Sequence, residues 1–204
     1  MRGPFNALLL LALAALSTDA HATVMQRLDV RELAWTAPVI VEGRVVAQRT
    51  LLMQGRPWTE SEIQVLESHK GALRRGAVVQ VRQPGGIHGR IGMRVAGAAQ
   101  FKRSERVLVF LRPVDGYNVP VGMGQGKFEI YTDRAGMRRG RRDLSGISFA
   151  QLTLQGRVEL TRELRPVDQD QPLTELISTI QAAVQATKRA PSLPSSTQSQ
   201  GGAK

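Results

Sequence analysis

Cysteine is absent from all 204 residues. That excludes disulfides, thiolate zinc sites, cysteine nucleophiles and an acylated-cysteine lipid anchor. An exported chain of this kind is held together by its core alone. Histidine is scarce too: beyond residue 22 only His69 and His88 occur. There is no H-E-x-x-H pair, no close His–carboxylate spacing that suggests a metal, and no G-x-S-x-G elbow. The sequence therefore points to no catalytic residue, no metal and no cofactor. A catalytic set assembled from distant residues stays open, because such sets are spatial rather than sequential. There is no internal repeat. No stretch after residue 22 has the roughly 20 apolar residues that a membrane-spanning helix needs.

Arginine, by contrast, is abundant. Basic residues number 28 against 17 acidic ones, for a formal net charge of +11, and 23 of the 28 are arginine. Such a balance favours polyanionic partners, and it equally serves simple solubility. The densest run is Arg134, Arg138, Arg139, Arg141 and Arg142, spaced by Gly136 and Gly140. On a mobile loop these five would grip anionic oxygens bidentately; a solvated loop is the other reading. Nucleic acid is disfavoured, since Tyr131 and Phe149 are the only neighbouring aromatics for base stacking. His88, on a Gly-rich stretch, is a further candidate contact.

Residues 1–22 have the form of a secretory signal peptide. Arg2 is the basic n-region, Ala7–Leu16 the apolar h-region, and Ala20-His21-Ala22 fits a small-x-small cleavage site. The expected mature chain starts at Thr23 and is extracytoplasmic, either periplasmic or secreted. Its oligomeric state is left open.

The rest reads mainly as strands. Leu28–Ala37 is a short helix capped by Asp29, with Trp35 packed beneath the next strand. Val39–Ala47 is a strand with Gly43 at a bulge or bend. Thr59–Ser68 places Ser61, Ile63 and Val65 inward and Glu60, Glu62 and Gln64 outward. Ala77–Gln83 follows, with Arg82 outward. The run 84–92 holds Gly85, Gly86, Gly89 and Gly92. It lacks the following helix that a phosphate cradle requires, so it is expected to be a long crossover loop. Arg106–Arg112 is nearly all apolar and reads as a central strand buried on both faces. Tyr117–Gly122 and Lys127–Thr132 are further strands, with a turn at 133–136. A β-pair at Phe149–Leu154 and Arg157–Leu160 is one reading of residues 143–168. Asp170–Thr187 is an amphipathic helix with Pro172 in its first turn, its apolar face docked on the barrel. Residues 189–204 have the composition of a disordered tail.

The strings QPGG, RVAGA, VLVFL and GQGKFE, within the span from Leu28 to Asp143, resemble an uncharacterised family of exported bacterial proteins. Modules related to that family accompany matrixin-like metalloproteases in some bacteria, so the resemblance implies such a protease as a partner. More distantly, the strand order is similar to the netrin-like domain of tissue inhibitors of metalloproteinases, an OB-type barrel. Those inhibitors chelate zinc through an N-terminal cysteine. Here the expected first residue is Thr23 and no cysteine exists, so the barrel carries over and the inhibitory chemistry does not.

The expectation is therefore a single domain over residues 23–188. It is all-β with accessory helices: a five- or six-stranded OB-like barrel around Val107, Val109 and Leu111, with a short N-terminal helix and a C-terminal amphipathic one. Functionally it reads as a non-enzymatic binding module for an anionic polymer or an exported protein. The alternatives are an accessory or inhibitor of an exported metalloprotease, and an enzyme with a dispersed site around His88.

Overall fold

The computed structural model describes residues 23–152, 157–161 and 169–189. The expected signal peptide at 1–22 lies outside the described residues, as does the tail expected at 189–204 except for Arg189, which is helical. The elements in order are β1 (Thr23–Gln26), α1 (Val30–Thr36), β2 (Val39–Met53), β3 (Arg56–Lys70), β4 (Val78–Pro84), β5 (Gly86–His88), β6 (Ile91–Met93), β7 (Arg106–Val114) and β8 (Tyr117–Pro120). A 3-10 turn (Met123–Gly126) follows, then β9 (Lys127–Thr132), β10 (Arg138–Arg141), β11 (Ile147–Leu152), β12 (Val158–Thr161), β13 (Asp170–Pro172) and α2 (Leu173–Arg189). The fold is all-β with accessory helices.

The main sheet runs β13-β10-β9-β7-β2-β3-β4-β8, and β7 also pairs with β8. The strands β2-β3-β4-β8-β7 thus close on themselves as a five-stranded, partly open barrel. Closure is weakest between β4 and β8. These run parallel and share one register pair, Val81 opposite Asn118, with Asn118 Nδ2 donating to the Gln80 carbonyl oxygen at 3.1 Å.

β7 is the keystone, and its apolar run has a simple cause. Alternate residues point to opposite faces. Val107, Val109 and Leu111 enter the barrel interior with Val41, Ile63 and Val81. Leu108 and Phe110 face outward into a second core with Leu33, Phe128, Leu176 and Ile180. Both faces are buried, so no polar residue interrupts the strand.

The outer core is roofed by the two helices. Asp29 caps α1 with a complete capping box, its side chain accepting from Glu32 N while the Glu32 side chain accepts from Asp29 N. Lys70 Nζ donates to the carbonyl oxygens of Ala34 at 2.7 Å and Trp35 at 3.2 Å, satisfying the other end. The stripe Leu33, Ala34 and Ala37 is buried, which turns Trp35 outward at 53% exposure. The expected core role for Trp35 is thereby corrected. In α2, Leu173, Leu176, Ile180, Ala183 and Val184 are buried as the spacing predicts. Pro172, however, ends β13 rather than sitting within the helix.

Three further expectations change. β2 and β3 are longer than expected, Val39–Met53 and Arg56–Lys70, and pair with each other along their length. The run 84–92 is no crossover loop: it folds as the β5–β6 hairpin, His88 opposite Ile91. Residues 134–142 are no free loop either. After the turn at 134–136 they form β10 between β9 and β13. The β-pair expected near 150 and 158 does form, as β11 and β12, and β1 joins β11 in parallel. Gly43 does sit at a bulge. The register slips between Glu42 and Gly43, and a Cβ on Gly43 would lie 2.4 Å from Ile63 Cγ2.

Candidate binding cleft at the open seam

Beyond the single β4–β8 pair the two strands part, and the gap becomes a cleft of about 320 Å³. That volume falls at the small end of ligand pockets, which run from ~300 to 1,000 Å³. Arg82, Gln83 and Pro84 form one wall, Val119 and Pro120 the other. Met25, Ala98, Ala99, Arg112, Gly122 and Met123 complete it.

The chemistry of the cleft is set by two neighbouring residues at the end of β4. Arg82 Nη2 lies 2.8 Å from Glu60 Oε2, and its guanidinium carbon stands 4.1 Å from the centre of the Tyr117 ring. The stack holds the guanidinium plane in place. Its Nε is buried without a hydrogen-bond partner, and so is Oε1 of Gln83. Buried polar atoms are ordinarily paired, and each orphan costs about 1–3 kcal/mol. Glu60 is also bonded by Arg49. The hydrogen bond from Arg82, together with Arg49, holds the Glu60 carboxyl below its ordinary value against the opposing effect of burial. One carboxylate therefore serves two guanidiniums. Arg112 adds a further cation, and among the described residues no carboxylate lines the cleft. The surplus charge is positive.

The far wall is strained. Met123 has φ +58°, a left-handed conformation that costs a side chain roughly 1–2 kcal/mol. It follows Gly122, also left-handed at φ +63°, where a Cβ would come within 2.9 Å of Leu28 Cδ1. Strain of this kind persists where the surroundings over-determine it, and it collects at binding sites. Beneath it, Gln125 is 1% exposed. Its Oε1 accepts from Leu28 N at 2.7 Å and its Nε2 donates to the Gln26 carbonyl oxygen at 3.0 Å, tying the N-terminal segment to the cleft floor.

None of the six residues singled out from the sequence lines this cleft. Arg138 and Arg106 both donate to Glu42, the former at 2.8 Å. Arg139 pairs with Asp170 and Arg141 with Glu129, at 2.8 and 2.9 Å. Arg142 is 3% exposed and donates to the carbonyl oxygens of Leu28 and Gln125. Arg134 is exposed in the turn. His88 Nδ1 stands 3.0 Å from the Thr50 carbonyl oxygen, which can only accept, so Nδ1 carries the proton. Sequence reasoning missed Arg82 by placing it outward, and also put Glu60 outward, where the structure buries it at 2% exposure. The available signal was two Gly-rich stretches, 83–86 and 122–126, of which the first reads as the start of a crossover loop and the second as a break between strands.

Among the described residues, one group has metal-ligand proximity: Glu42, Glu67 and His69, with ligand atoms within 4.8 Å of one another. Arg106 and Arg138 both pair with Glu42, and their two positive charges offset the group's two carboxylates, so no net negative charge remains to hold a dication. Comparison with models of known protein families finds no match, and no curated protein is significantly similar to the chain.

Proposed function

We propose that this chain is an exported, non-enzymatic binding module that holds its ligand in the seam cleft. One observation carries the reading. Of the three buried side-chain atoms left without partners among the described residues, Arg82 Nε and Gln83 Oε1 belong to residues lining the positively charged cleft where the barrel fails to close, and the third is His69 Nε2. Binding is favoured over turnover because, among the described residues, no lining side chain is a nucleophile or a base near neutral pH. The contact is placed here rather than at Arg134–Arg142, since Arg138, Arg139 and Arg141 have carboxylates of the same chain as partners. Export rests on residues 1–22, and an intact mass beginning at Thr23 tests it. The binding itself is tested by native mass spectrometry after equilibration with a small-molecule extract. A retained adduct that disappears in Ala98→Trp, which fills the cleft, supports the module. The same adduct on the filled variant, or chemical conversion of the ligand, sinks it.

A further inference from the structure

We propose that the ligand of the seam cleft is a small free carboxylate with a short apolar body and an N–H or O–H donor beside its carboxyl group. N-acylated amino acids are the simplest members of that class. The inference rests on the binding-module reading and specifies its ligand.

Charge comes first. Arg82 and Arg112 line the cleft and, among the described residues, no acid does. Glu60 offsets only part of this, because it is shared between Arg49 and Arg82. An anion is therefore the occupant that leaves no uncompensated charge. A planar carboxylate also matches the fork of a guanidinium. The donor requirement comes from Gln83, which is 5% exposed and has an unpartnered Oε1. An amide carbonyl oxygen accepts only, so a ligand that satisfies it brings a hydrogen. Met25, Val119 and Met123 supply apolar wall for the body.

The backbone decides between a free molecule and an inserted strand. A parted seam invites an extended peptide to complete the barrel by hydrogen bonding along both edges. Here β4 ends at Pro84 and β8 at Pro120. Neither has an N–H, so the seam is blunted where a strand would dock. Recognition falls to side chains, and the small volume sets the size.

The test uses the chain from Thr23 to Lys204 and three probes. N-acetyl-L-leucine has all three features, N-acetyl-L-leucinamide lacks the charge, and 4-methylpentanoate lacks the donor. Calorimetry and amide NMR shifts read the binding. The expected result is that N-acetyl-L-leucine moves the resonances of Arg82, Gln83 and Val119. The amide and the Arg112→Gln variant should each bind about tenfold more weakly, as the loss of a charge-assisted hydrogen bond implies. Arg112 is exposed, so that variant keeps the wild-type melting temperature. 4-Methylpentanoate should bind several-fold more weakly than N-acetyl-L-leucine. If the leucinamide binds as well as the acid, the carboxylate class is wrong while the binding module stands. If N-acetyl-L-leucine and its alanine and phenylalanine counterparts leave the cleft resonances unmoved at millimolar concentration, the inference is overturned.

Discussion

Arg138 reaches across 96 positions of sequence to donate to Glu42 at 2.8 Å, and Glu42 is 1% exposed. Arg106 donates to the same oxygen from β7. The arginine run is thus anchored to the central sheet by a buried carboxylate, and the two sides of that contact are unequal. Glu42 is enclosed, whereas Arg106 and Arg138 keep 37% and 45% of their side-chain surface in water.

That inequality gives an asymmetric mutational response. Glu42→Ala frees two arginines that can turn to solvent, and should cost about 1–3 kcal/mol. The double change Arg106→Ala with Arg138→Ala strands a buried carboxylate and should cost more, about 3–5 kcal/mol. Urea denaturation measures both. Equal costs, or the reverse order, would show that the pair does not act this way.

Acid should unfold the protein through its paired carboxylates. Hydrogen bonding from Arg82 holds Glu60 below its ordinary value. For Asp170 burial acts upward, but the Tyr131 hydroxyl and Arg139 outweigh it and the net direction is down. A carboxyl that is more acidic folded than unfolded stabilises fully above its unfolded value, and that share is lost as pH falls toward the folded value. The melting temperature should therefore be flat above about pH 5 and fall below it. Glu60→Gln should reduce the acid slope. A decline centred near pH 6 would instead implicate histidine.

Gly43 should tolerate no side chain. A Cβ there meets Ile63 Cγ2 at 2.4 Å and Gln64 O at 2.7 Å inside the barrel. Gly43→Ala should cost about 1–3 kcal/mol. Gly92→Ala, where a Cβ would meet only Ile87 Cγ1 at 3.8 Å, should stay within about 0.5 kcal/mol. Chemical denaturation of the two variants side by side checks the contrast.

Trp35 should matter little to stability. It is half exposed on α1, so Trp35→Ala should change stability by about 0.5 kcal/mol or less. In the wild type, iodide should quench the fraction of tryptophan fluorescence that this substitution removes. A loss of several kcal/mol would place its ring back in the core.

Much of this architecture follows from consecutive residues alone. The doubly apolar run at 107–111 marks the central strand, Leu173–Val184 marks an amphipathic helix, and Gly43 marks a bulge, because each is a local period or a local steric demand. What pairs with each arginine is not local. Alternation alone puts Arg82 and Glu60 on the outer face. The register of β3 on β4 then set them opposite one another and buried the carboxylate between Arg49 and Arg82. The cleft likewise exists only because β4 and β8 meet at one residue pair and then part. Side-chain period belongs to the chain, whereas the closing of a barrel and the partners of its charges depend on which distant strands lie side by side.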